Sequence, residues 1–116
     1  MPVSFHGHYE YTDKERQPLL SRLRAEIVKL NNRLDERITA GQRIAYKKPG
    51  RNVFLEVKVQ RHAIVLHMIR VPDPDHILSD IPDTHEWHQL AKRMKIQTAG
   101  ELEQVLPLIK TAWLRG

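Results

Sequence analysis

Residues 43–70 constrain the fold more than any other part of the chain. Three short runs, Arg43-Ile44-Ala45-Tyr46-Lys47, Asn52 to Val59 and His62 to Arg70, are rich in β-branched and aliphatic residues and separated by tight-turn signals. The middle run alternates Val53, Leu55, Val57 and Val59 with Phe54, Glu56 and Lys58, the two-residue period of a half-buried strand. Between the first two runs, Lys48-Pro49-Gly50-Arg51 carries the Pro-Gly pair of a type II turn; Gln60-Arg61 closes the second connection. Strands joined this tightly can pair only antiparallel, so the centre of the chain is a three-stranded meander.

The flanks read as helices. Leu20, Leu23, Ile27, Leu30 and Leu34, widened by Leu19, recur at three- and four-residue steps, and Leu102, Val105, Leu106, Ile109 and Trp113 do the same near the C-terminus. Thr12-Asp13-Lys14-Glu15 and Thr98-Ala99-Gly100-Glu101 both match a capping box, although Pro18 suits a first turn and moves the start of the first helix toward Arg16 or Gln17. Pro107 should bend the last helix. Val71 to Glu86 holds three Pro, five acids and no Lys or Arg, and is expected to be a surface connection. Leu90 to Gln97 is read as a fourth strand in preference to a short helix. Residues 1–12 are read as an N-terminal tail, ordered only if it docks, and residues 13–116 as one domain. The expected architecture is α+β, in the order α-β-β-β-β-α: four antiparallel strands with two helices packed on one face.

These segments resemble a family. The stretch from Gln17 to Leu34, then Ile44-Ala45-Tyr46-Lys47, Asn52-Val53-Phe54-Leu55-Glu56-Val57, and Glu101-Leu102-Glu103-Gln104-Val105-Leu106-Pro107-Leu108-Ile109-Lys110 with Trp113 are similar to a small bacterial domain of unknown function. That family occurs alone, or as the trailing module of restriction-type nucleases and of "predicted transport" proteins. The resemblance covers residues 17–114, except that His85-Glu86-Trp87-His88-Gln89 stands where the family often has a glycine-containing stretch. It implies a setting in nucleic-acid metabolism or phage defence, and it implies no reaction, because its motifs are structural.

Composition closes several function classes. With no Cys among 116 residues, disulfide scaffolds, Cys-ligated zinc, iron–sulfur clusters and cysteine nucleophiles are excluded. No apolar stretch approaches the roughly 20 residues of a membrane span, and the first residues lack the basic start and apolar run of a signal peptide, so a cytoplasmic location without membrane contact is expected. The net charge of +5 and pI near 9.7 permit a polyanionic partner. Six cations against one acid lie between Arg43 and Arg61. Arg43, Tyr46, Lys47, Lys48, Arg51, Lys58 and Arg61 are therefore the candidate nucleic-acid-binding set: the cations to meet phosphates, Tyr46 or Phe54 to stack on an unpaired base. The opposing reading makes the cations edge protection and both aromatics core.

Catalytic and metal chemistry is poorly supported. His85 and His88, with Asp83 and Glu86 nearby, and the pair His6 and His8 have the spacing of metal ligands but lack a complete set, so no metal and no cofactor are expected. Asp73, Asp75, Asp80 and Asp83 do not follow a calcium-loop spacing. Ser4, Ser21 and Ser79 lie outside any nucleophile elbow. Glu56-Val57-Lys58 puts a carboxylate and a lysine on one side of a strand, as some nucleases do, without the upstream acid such a site needs. His67 is read as a hydrogen-bonded residue of the sheet surface. The sequence thus points away from an enzyme and toward a non-catalytic module contacting nucleic acid through a basic β-hairpin. The alternative is protein docking or self-association through the Leu20–Leu34 seam.

Overall fold

A computed structural model describes residues 4–38, 43–81 and 89–116. In chain order the elements are α1 (Phe5–Tyr11), α2 (Gln17–Val28), β1 (Asp35–Ile38), β2 (Arg43–Lys47), β3 (Val53–Val59), β4 (Ile64–Ile69), β5 (Ser79–Asp80), β6 (Leu90–Ile96) and α3 (Ala99–Arg115). The strands form one antiparallel sheet in the order β1-β2-β3-β4-β6-β5. The α+β class and the meander agree with the sequence reading. The count does not: six strands and three helices are described where four and two were expected.

The two extra strands are the sheet edges. Asp35-Glu36-Arg37-Ile38 has no apolar alternation to betray it, because an edge strand is half solvated and its pairing with β2 is backbone chemistry. Ser79–Asp80, inside the acidic connection, adds two residues opposite Arg93 and Lys92. The remaining expected strand, over 90–97, is β6.

The N-terminal segment, read as a tail ordered only if it docks, is ordered, with Phe5 and Tyr11 against Arg24 and Arg61. Phe5–Tyr11 is helical, with Ser4 Oγ accepting from the Gly7 amide and His8 buried. Thr12 does not open a capping box. Its hydroxyl donates to the carbonyls of Gln60 and Arg61 (2.8 and 3.1 Å), while Asp13 accepts the Arg16 amide just before Gln17 and Pro18 start α2. The second capping box forms as expected: Thr98 Oγ1 takes the Glu101 amide and Glu101 reaches back to the Thr98 amide. α3 runs on through Pro107.

Both long helices cover one face of the sheet. Leu20, Leu23 and Ile27 of α2 and Leu102, Val105 and Ile109 of α3 share one core with Ile44, Tyr46, Leu55, Val57, Ile64, Leu66, Met68 and Ile96. The apolar seam of α2 is thus used inside the molecule. Phe54 joins this core against strict alternation. Tyr46 pairs with Leu55 and Lys47 with Val53, which leaves Phe54 as the extra residue of a bulge. The bulge turns its ring to the helix side, where it is 1% exposed and meets Trp113 edge-on at 5.6 Å.

Candidate nucleic-acid interface

Register and alternation fix what the other face carries. On β2, Arg43, Ala45 and Lys47 alternate with the core residues Ile44 and Tyr46, and so point away from the helices. Arg43 is opposite Lys58, Lys58 opposite Val65, and Val65 opposite Lys95, which makes one line across four strands. At about 4.8 Å per strand the line is about 14 Å long. A second line, two residues along, joins Arg37, Ala45, Glu56, His67 and Arg93. The cations surround a buried centre: Ala45, Glu56 and Val65 are all below 5% exposed, and neither Ala45 nor Val65 belongs to the helix-side core.

Glu56 is the one fully buried carboxylate of that centre. His67 Nδ1 lies 2.8 Å from Glu56 Oε1, and Arg43 Nη1 lies 3.8 Å from Glu56 Oε2. This pairing engages Oε1 of Glu56 and makes His67 a hydrogen-bonded residue of the sheet. Among the described residues no carboxylate lies within ion-pair distance of Lys58, Arg93 or Lys95, whereas Arg37 pairs with Asp35 at 3.3 Å.

The seven residues singled out in the sequence do not form one cluster. Arg43 and Lys58 face each other, and Lys47 shares their face at the far end of β2. Lys48 turns to the helix side, its Nζ 4.9 Å from the centre of the Trp113 ring. Arg51 is exposed in the β2–β3 turn, where Gly50 has φ +73°, the left-handed geometry that Pro-Gly signals. Arg61 stands at the opposite end of the hairpin, its guanidinium 5.5 Å from the Tyr11 ring. Tyr46 must be withdrawn as a stacking residue. It is 1% exposed, and its hydroxyl donates to Glu36 Oε2 at 2.7 Å.

Glu36 is also held by Arg24 of α2, through Nε at 2.9 Å and Nη2 at 2.8 Å. Burial pushes the Glu36 carboxyl up, but the hydrogen bonds from Arg24 and Tyr46 outweigh it and leave it below its usual range. Burial, and then the bond to Glu36, push the Tyr46 hydroxyl up, so it stays neutral. This triad is architecture rather than a site.

Residues missed in the sequence are Arg93, Lys95 and Arg37. β6 alternates Arg93 and Lys95 against Met94 and Ile96, a legible signal; their place beside the hairpin depended on knowing that β6 pairs with β4. Among the described residues of the acidic connection, neither acid that is engaged reaches these cations. Asp73 accepts the amides of Ile77 and Leu78 (3.0 and 2.8 Å), and Asp80 pairs with Lys92, which holds its carboxyl below the usual range.

Among the described residues no three His, Asp or Glu converge as a metal site. Asp83, His85, Glu86 and His88 lie outside the described residues, and His6 pairs with Glu10 on α1. No described helix is long and apolar enough to cross a membrane. No protein-family model, curated protein or solved structure matches the chain.

Proposed function

We propose that the protein is a non-catalytic module that binds nucleic-acid phosphates with the face of its sheet opposite α2 and α3, in a cytoplasmic, nuclease-associated or phage-defence setting. The line Arg43, Lys58, Val65, Lys95, with Arg93 beside it, carries this reading. The strands fix the spacing of the side-chain origins, and the Lys and Arg side chains themselves are ordered on binding. The resemblance to a module that trails restriction-type nucleases points the same way. The binding set is thus revised from the whole hairpin to one face: Arg43 and Lys58 stay, with Lys47 on the same face at the far end of β2, Arg93 and Lys95 join, Tyr46 is withdrawn, and Lys48, Arg51 and Arg61 stand apart.

Fluorescence anisotropy on single- and double-stranded oligonucleotides across a salt series tests the proposal. Each phosphate contact steepens the slope of log affinity against log salt by about 0.9 on duplex and about 0.7 on single strands. R43A/K58A/K95A should flatten the duplex slope by about two to three, while K48A/R51A leaves it unchanged. Absence of binding at low salt, or a larger effect from K48A/R51A, overturns the assignment. Protein docking is the competing reading, and the exposed large hydrophobics Val28 and Leu114 favour it from the helix side. Salt-insensitive association that L114D abolishes would establish docking instead.

A further inference from the structure

A second concentration of cations lies at another place, where the ends of β4 and α3 and the start of the acidic connection meet. Arg70, His76, Lys92 and Arg115 line an open surface cavity of about 430 Å³ whose apolar wall includes Leu78. Asp73 is the one acid in the lining, and both its oxygens are engaged by the amides of Ile77 and Leu78. Lys92 is partnered by Asp80, which approaches from outside the cavity lining. Arg70 and Arg115 form no ion pair among the described residues, although Arg70 lies close enough to Asp80 to favour its charged form, so two planar forks border one cavity in which Asp73 is the single acid of the lining. His76 holds φ +54°, a left-handed conformation that glycine adopts more freely and that His tolerates better than most residues, and it adds an imidazole to the lining.

We propose that this cavity is an anion site for a phosphomonoester. A tetrahedral dianion offers enough oxygens for two guanidinium forks and an imidazole, whereas one carboxylate is filled by a single fork. The carbonyl end of α3 opposes an anion with roughly half a unit charge, and Arg115 in its last turn, together with Arg70, outweighs it. The proposal is independent of the sheet face and shares no residue with it. A phosphomonoester can be the phosphorylated end of a nucleic-acid strand or a free phosphorylated small molecule, and the same chemistry recognises both.

The test is a titration of the full chain with inorganic phosphate at low ionic strength, followed by the amide resonances of His76, Ile77 and Leu78, with chloride as control. Saturable, phosphate-specific shifts are expected, and R70A/R115A should weaken them about tenfold or more. Both arginines are at the surface, so the variant should melt with the parent protein. H76G should raise the melting temperature while weakening phosphate, a combination that a purely structural turn residue would not give. Tighter binding of a 5′-phosphorylated oligonucleotide than of its 5′-hydroxyl counterpart, lost in R70A/R115A but kept in R43A/K58A/K95A, assigns a strand end. Phosphate binding without that gain assigns a free small molecule. Shifts matched by chloride, or unchanged in R70A/R115A, overturn the site.

Discussion

The two faces of this sheet bury side chains for different reasons. On the helix side, Leu55, Val57, Ile64, Leu66 and Met68 are shut in by two helices, and the one carboxylate at the margin, Glu36, is matched by a bidentate arginine and a phenol. On the other side Ala45 and Val65 are buried beside Glu56 and His67, within a frame of Arg37, Arg43, Lys58, Arg93 and Lys95. The first face carries most of the apolar burial; the second adds a smaller buried centre framed by charge. Residues adjacent in sequence therefore answer to different demands: Leu66 and Val65 differ by one step along β4 and by the entire thickness of the sheet.

That contrast is most exposed to failure in the core. L66A should cost about 2–5 kcal/mol, because it removes apolar volume where two helices cannot collapse onto it, while V65A should cost about 1–2 kcal/mol. Equal losses in chemical denaturation would show that the two faces bear the load alike. Next comes the triad. E36Q should cost about 1–3 kcal/mol at neutral pH by weakening bonds to a charged group, and Y46F about 1 kcal/mol. The pH dependence sharpens the point. The Glu36 carboxyl sits below its ordinary value of 4.5 in the folded chain, so the folded state binds that proton less readily than the unfolded one. Its contribution is fully present above about pH 4.5 and is lost as pH falls through the folded value. E36Q should flatten the acid limb of a stability–pH profile and Y46F should flatten it in part; an unchanged limb would remove Glu36 as its cause. G50A, forced into a left-handed turn with open space around it, should cost about 1 kcal/mol from backbone alone. Smallest of all, K58A should leave stability within about 0.5 kcal/mol and change only the salt slope of binding.

Much of the helix-side face was legible, because burial writes period into sequence: Leu55, Val57 and Val59 of the middle run and the Leu20–Ile27 and Leu102–Ile109 stripes became core, while Val53, beyond the bulge, did not. Phe54 was not, since one extra residue in β3 reverses the side that parity assigns. β1 and β5 were not, since edge strands hold by main-chain bonds that leave no apolar signature. The binding face was half legible. Arg43 and Lys58 come from neighbouring strands joined by a short turn, which local signals reveal. Lys95 reaches the same line only because β6 returns to pair with β4 after a long connection, and pairing at that range has no local mark. Tyr46 was misassigned for a related reason: its hydroxyl partner, Glu36, lies on a strand the sequence conceals.

Arg24 ties together parts of the chain that have few other reasons to move in concert. Its guanidinium lies 4.4 Å from the Phe5 ring of α1 while it grips Glu36 of β1. The first helix and the outermost strand should therefore open as a unit, their amides exchanging with solvent at matched rates, so that trimming the first eleven residues would be felt at the rim of the sheet.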